Sequence, residues 1–163
     1  MRKGFIGVDN GYQGGLAYVS EEYVEVHPMP TLKLGTKRIL DEPAIYALLE
    51  RWSHIEERTV AAIEVVQAMP KNGSVAMCNY GCGHGIVRGI CVGIRVPYTL
   101  IHPKTWQKAM LDGLSKTDTK SMSILVAQRM YPLVSLRLTA SSKPLDGLSD
   151  ALLLASYARR IGL

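Results

Sequence analysis

The sequence predicts an α/β domain in which a mixed five-stranded sheet carries helices on both faces. Short apolar runs separated by turns rich in glycine and asparagine are typical of an antiparallel three-strand meander, here at 4–9, 15–19 and 23–27. Two later apolar runs each follow a helical segment, which predicts parallel strands reached by crossovers, at 59–65 and 97–101. A length of 163 residues suits one such core, so we expect one domain over 1–163.

The remaining segments are predicted to be helices and one loop. Helical patterns cover 41–53, 74–95, 103–111, 117–131 and about 145–161. Ser74 is a candidate N-cap, and Thr117 is the predicted start of its helix. Residues 28–38 combine two prolines and a glycine with three cations, which predicts a mobile basic loop containing Lys33, Lys37 and Arg38.

The helix over 74–95 carries a regular stripe of glycines, at Gly81, Gly85, Gly89 and Gly93. Each interior glycine destabilises a helix by about 1 kcal/mol relative to alanine. We therefore expect close packing on this stripe, either by the sheet or by the same helix of a second copy.

Composition and charge narrow the class of protein. Hydrophobic residues make up 47% and charged residues 20%, as in ordinary folded proteins. The formal charge of +5 suits a polyanionic partner, although a basic protein without such a partner fits equally well. Three clustered cysteines argue against a disulfide framework. With no signal peptide or membrane span predicted, we expect a cytoplasmic protein.

Four acidic residues lie where the fold alone gives little reason for them. Asp9 ends the first strand, and Glu64 lies inside the apolar run AAIEVV. Asp146 and Asp150 share one face of the last helix because four residues separate them. Burying carboxylates together is unfavourable unless cations offset their charge. The set therefore predicts a site for two Mg²⁺ ions, whose preferred ligands are carboxylate oxygens.

Each acid also has a structural alternative. Asp9 precedes Asn10-Gly11 and suits a turn, whereas Asp146 suits a helix cap. Glu64 and Asp150 are each consistent with an ion pair to a core arginine or lysine. The four together favour the metal site.

Five segments, in order, resemble the RuvC-like Holliday-junction resolvases: FIGVDNGYQGGLAYV, IEVVQAMPKNG, the helix through GIVRGI, PYTLIHPKTWQKAML and LDGLSDALLLASYA. The resemblance implies an RNase H-like fold and a homodimer that cuts four-way DNA junctions with Mg²⁺ or Mn²⁺. It also implies that the catalytic metal ligands are Asp9, Glu64, Asp146 and Asp150. The spacing of four in the last pair is similar to that of fungal mitochondrial resolvases, whereas bacterial members usually have three.

Bacterial members carry an aromatic wedge after the glutamate, but residues 65–71 contain no aromatic residue. The candidate wedge is therefore apolar, Met69 or Pro70. Lysines on flanking segments are the expected contacts to the DNA backbone: Lys71, Lys116, Lys120 and Lys143.

The expected function is phosphodiester hydrolysis of four-way junctions that leaves 5′-phosphate ends. Three alternatives stay open: an RNase H-like nuclease on RNA–DNA hybrids or flaps, a non-catalytic junction-binding module, and a phosphotransferase suggested by GVDNGYQGG. The last normally needs two such domains, and this chain has room for one.

Overall fold

The computed structural model describes residues 2–66, 73–113 and 118–163. Its elements, in chain order, are β1 Lys3–Asp9, β2 Gly15–Val19, β3 Val24–Pro28, β4 Thr31–Leu34, β5 Lys37–Leu40, α1 Glu42–Ser53, β6 Arg58–Glu64, α2 Ser74–Gly93, β7 Tyr98–Ile101, α3 Pro103–Met110, α4 Thr119–Met130 and α5 Asp146–Arg160.

Five strands form the main sheet in the order β3-β2-β1-β6-β7. The β1–β2 and β2–β3 pairs are antiparallel, whereas β6 runs parallel to both β1 and β7. The predicted mixed sheet, a three-strand meander joined to two parallel strands, is confirmed.

Alternation along the strands divides the core between the two faces of the sheet. Ile6 and Val8 of β1 pack with buried side chains of α1 and α2. Phe5 of β1, like Val60 and Ala62 of β6, packs instead with α5 and Trp106 of α3. Because side chains two apart on a strand share a face, the last residues of β1 and β6 also lie on the α5 face.

Helix α5 approaches β1 so closely that glycine is required at two positions. A Cβ atom on Gly7 would lie 2.0 Å from the Ala151 carbonyl oxygen. A Cβ atom on Gly147 would lie 2.2 Å from the Gln13 carbonyl oxygen in the β1–β2 turn. Neither separation is possible for a real side chain. The first turn of α5 is therefore held against the end of β1.

The predicted mobile basic loop is wrong, because most of that segment forms the β4–β5 hairpin. Leu34 pairs with Lys37 across a two-residue turn whose first residue, Gly35, has φ +61°. Positive φ at this position suits the twist of a hairpin, and glycine adopts it without strain. The alternation in TLKL and KRIL was a strand signal that the flanking prolines obscured.

Two expectations for the glycine-bearing helix also need correction. Gly73, not Ser74, is the N-cap of α2, and it makes no side-chain capping hydrogen bond. The sheet does not pack on the stripe, since a Cβ atom on each of the four glycines would meet nothing within 4 Å among the described residues: Gly81, Gly85, Gly89 and Gly93. A second copy on this face stays a prediction. Among the described helices, none is both long and apolar enough to cross a membrane.

Candidate active site

The structure brings the four predicted acids to one edge of the sheet. Asp9 ends β1 and Glu64 ends β6, and these parallel strands are neighbours with Val8 opposite Ile63. One residue further along, the two carboxylates are side by side on the α5 face. Asp146 and Asp150 lie in the first turns of α5, which the contact at Gly147 holds over the same edge.

The electrostatics of this edge are unfavourable for the chain alone. Burial, followed by the charges of Glu64, Asp150 and Asp146, raises the pKa of Asp9 well above its ordinary value. Burial also raises the pKa of Glu64. The pKa of Asp150 is raised to about 7, mainly by burial and then by Glu64 and Asp146, against a hydrogen bond from Ser123. The acids therefore destabilise one another's charged forms.

The structural alternatives for these acids find little support. The N-cap of α5 is Leu145, and Asp146 is the first helical residue, so Asp146 is not a cap. No arginine or lysine in the described ranges forms an ion pair with Glu64 or Asp150. An ion pair at this edge joins the Lys120 ammonium to Asp146, with 2.6 Å between Nζ and Oδ2.

The predicted DNA contacts fall into three groups. Lys120 lies in the first turn of α4 beside the acids, and its side chain keeps 77% of its surface exposed. Lys143 is exposed in the segment before α5 and forms no ion pair with a described residue. The other three lie outside the described residues: Met69, Lys71 and Lys116.

Trp106 orients the Glu64 side chain. Its indole Nε1–H donates to Glu64 Oε2 over 2.8 Å, and the ring is fully buried on the α5 face of the sheet. The hydrogen bond could not be foreseen, because the two residues are 42 positions apart. It leaves Oε1 as the Glu64 oxygen that Trp106 does not occupy.

Asn10 and two residues of α2 complete the surroundings. Asn10 is 3% exposed, and its Nδ2–H donates to the Glu64 carbonyl oxygen over 2.8 Å, which ties the end of β1 to β6. The same amide nitrogen lies 3.3 Å from His84 Nδ1, which links the end of β1 to α2. Burial, followed by the charge of Arg88, lowers the pKa of His84.

Tyr80 packs over the turn that follows β1. Its ring atom Cε2 lies 2.8 Å from where a Cβ atom of Gly11 would be, and Gly11 has φ +122°, so only glycine suits this position. Burial, and then the charges of Asp9, Glu64 and Asp150, raise the pKa of Tyr80 to about 12. Sequence analysis did not single out Tyr80 or His84 as site residues, although both are half-buried on the same side of α2 as the buried Gly83 and Val87.

A cleft of about 290 Å³ opens at this edge. Its walls are the β1–β2 turn, Tyr80 of α2, Lys120 of α4 and the start of α5, with Asp9 and Asp146 among the lining residues. A carboxylate-lined cleft with one exposed lysine is suited to a cation-mediated contact with phosphate.

The donor set fits a divalent cation. Asp150 Oδ1 is buried and has no hydrogen-bond partner in the described part of the chain, although buried polar atoms are normally paired. Carboxylate oxygens are the ligands that Mg²⁺ and Mn²⁺ accept. As the side chains stand, no three histidine, cysteine, aspartate or glutamate residues in the described ranges form a ready-made coordination group.

No protein-family model and no curated protein sequence matches this chain. Its structure is similar to that of Thermus thermophilus RuvC, with 16% sequence identity and a TM-score of 0.57 over 98% of this chain and 96% of that one. It is similar as well to T. thermophilus RuvC in complex with Holliday junction substrate, with 18% identity and a TM-score of 0.60 over the same shares. The chain therefore has the RNase H-like α/β fold of RuvC.

Proposed function

We propose that this protein is a metal-dependent endonuclease that resolves four-way DNA junctions by phosphodiester hydrolysis and leaves 5′-phosphate ends. The observation that carries the proposal is the meeting of four carboxylates, from three distant segments, at one edge of a RuvC-like sheet: Asp9, Glu64, Asp146 and Asp150. The similar T. thermophilus structure in complex with Holliday junction substrate supports the choice of substrate.

The four acids would hold two divalent ions, Mg²⁺ or Mn²⁺, per site. When bound, such ions supply an activated water and stabilise charge on the leaving 3′-oxygen. The orphaned oxygen of Asp150 and the mutual repulsion of the acids are the features that bound cations would relieve.

The chain's own groups would position the reactants. The Lys120 ammonium, already beside Asp146, is placed to bind a phosphate oxygen and to stabilise negative charge in the transition state. Trp106 holds one oxygen of Glu64, which limits the rotation of that carboxylate. Asn10 joins the ends of β1 and β6 and so keeps Asp9 and Glu64 in register.

Two symmetric cuts need two sites, which suggests a homodimer. The glycine face of α2 is our candidate contact, because no described residue packs on it. Backbone contacts to DNA are proposed for Lys120 and Lys143 and, outside the described residues, for Lys71 and Lys116, with Met69 as the wedge.

The direct test is cleavage of a synthetic four-way junction with and without Mg²⁺. Asp9→Asn and Asp150→Asn should bind the junction but fail to cut it, since each removes a metal ligand and leaves the surface intact. Glu57→Gln is the matched control. Glu57 is exposed just before the start of β6, whereas Glu64 is at the far end of that strand, so this variant should cut normally. Full cutting by Asp150→Asn would overturn the assignment of the site.

A substrate panel distinguishes the junction from the alternatives. Four-way junction, flap, RNA–DNA hybrid and linear duplex are compared at equal concentrations. Preference for the hybrid or flap would replace junction resolution with a different RNase H-like activity. Tight junction binding without metal-stimulated cutting would indicate a non-catalytic binding module.

A further inference from the structure

The β4–β5 hairpin is a basic arm that lies outside the main sheet. Residues 32–39 are exposed, and the segment 29–40 contains three cations and no acid. None of the three cations forms an ion pair with another residue of the described ranges: Lys33, Lys37 and Arg38. The hairpin therefore concentrates unpaired positive charge in a chain whose formal net charge is +5.

The hairpin emerges at the same edge of the molecule as the acids. Pro28 pairs with Gly15, and the Met29 amide donates to the Gly14 carbonyl oxygen over 3.0 Å. Gly14 itself lines the acidic cleft. The base of the hairpin is therefore fixed to a wall of the candidate active site.

Further contacts hold the other end of the hairpin. The Asp41 amide donates to the Pro30 carbonyl oxygen over 3.0 Å, which closes the base. Leu40 packs against α2, where its Cδ1 atom lies 3.1 Å from where a Cβ atom of Gly83 would be. The base of the arm is therefore anchored on both sides.

Two positive charges of the arm lie directly opposite each other on neighbouring strands. Lys33 and Arg38 are direct cross-strand partners. Like charges at such positions destabilise a strand pair. Arg38 Nε donates to the Thr31 hydroxyl over 2.8 Å, which orients the guanidinium group without neutralising it. A polyanion would remove this repulsion, and no acidic side chain of the hairpin does so.

We propose that this hairpin is a DNA-binding arm that contacts the phosphate backbone of the duplex leading into the acidic cleft. The inference rests on the proposed function, because it assumes that the cleft receives DNA. A two-stranded ribbon with cations along its length can follow a duplex groove or backbone, and such contacts position the substrate without reading its sequence. The arm would hold the duplex while the acids act on one strand.

The test is the salt dependence of junction binding by the full-length protein, measured without divalent cations so that no cutting occurs. Log K falls as log salt rises, and in Lys33→Ala/Arg38→Ala the magnitude of this slope should decrease by about 1 to 2. Each lost phosphate contact reduces that magnitude by roughly 0.9. Affinity near 0.1 M salt should fall by about tenfold.

Two controls separate the arm from net charge. Arg58→Ala/Arg129→Ala removes the same charge from exposed sites at the far ends of β6 and α4, and it should keep the wild-type slope. Lys33→Arg/Arg38→Lys keeps both charges and should also keep it. The proposed arm would be overturned if both double-alanine variants reduced the salt slope equally. It would also be overturned if Lys33→Ala/Arg38→Ala left the slope unchanged.

The outcomes also separate this inference from the proposed nuclease. If the wild-type protein binds junctions but does not cut them, the proposed nuclease is rejected. If the salt dependence of binding is still weaker in Lys33→Ala/Arg38→Ala, the DNA-binding arm is retained. Normal cutting with no change of slope rejects the arm alone. A protein that binds no DNA rejects both.

Discussion

Two glutamates of this protein, Glu25 in β3 and Glu64 in β6, differ in how far the surrounding residues compensate their charge. Each accepts a hydrogen bond over 2.8 Å from the indole N–H of a fully buried tryptophan, Trp52 for Glu25 and Trp106 for Glu64. Beyond that bond their surroundings differ: the described chain compensates the charge of Glu25, but it compensates that of Glu64, a candidate-site residue, much less.

Glu25 is satisfied by the chain itself. Burial by itself would raise the pKa of Glu25, but hydrogen bonds from Arg51, Trp52, His27 and Tyr23 lower it to about 2. The Arg51 guanidinium contacts both carboxylate oxygens, at 2.7 and 2.8 Å. This cluster ties α1 to β3, and it needs nothing from outside the protein.

Two acids of the candidate site, Glu64 and Asp150, are compensated much less by the described residues. Within the described ranges Glu64 has one side-chain donor to its carboxylate, and burial raises its pKa. Asp150 has a buried oxygen with no partner among the described residues. A fold that neutralises Glu25 so fully could have done the same here. The contrast therefore points to charge supplied from outside, which is why we propose bound cations.

The largest expected effect comes from removing charge at the site. Asp150→Asn should reduce junction cutting by roughly two to three orders of magnitude, the scale seen when a group that stabilises transition-state charge is lost. It should also weaken the rise in Tm that Mn²⁺ produces, because ligand binding stabilises the folded state. Cutting rates and thermal melts with and without Mn²⁺ measure both. Undiminished stabilisation by Mn²⁺ in the variant would contradict the proposed ligand.

The next effect concerns the self-satisfied carboxylate. Glu25→Gln should lower the free energy of unfolding at pH 7 by on the order of 2–3 kcal/mol, since the folded-state pKa lies well below the ordinary value. A lowered pKa means that this stability is present above about pH 4.5 and is lost as the pH falls toward 2. Denaturant unfolding across that range should show the wild type and the variant converging. Cutting per folded molecule should not change.

The smallest effect compares the two tryptophans directly. Trp106→Phe and Trp52→Phe each remove one indole donor, and each should destabilise the fold by about 1–3 kcal/mol. Only Trp106→Phe should raise the divalent-ion concentration needed for half-maximal cutting, by about tenfold, since partners that orient a metal ligand commonly contribute that much. Mn²⁺ affinity by calorimetry is the second readout. Equal metal requirements in the two variants would show that Trp106 only packs.

Much of the site could be predicted because its signals are local. A carboxylate that closes an apolar strand, as Asp9 does, is visible in a few residues, and so is the four-residue spacing of Asp146 and Asp150. The β4–β5 hairpin was missed because local prolines outweighed a short alternation. Lys120 was predicted as a DNA contact, but its pairing with Asp146 depends on where α4 begins relative to α5.

By itself the sequence determined the five strands of the mixed main sheet and the helices around it, and it predicted the four acids of the candidate site, because periodicity and residue type act over short stretches of chain. Only the tertiary structure decided which groups surround those acids. Trp106 reaches Glu64 across 42 residues, and Asn10 meets His84 across 74. Such contacts depend on how the helices pack on the sheet, which here involves the close approaches at Gly7 and Gly147. Packing between distant segments leaves no periodic pattern in the sequence.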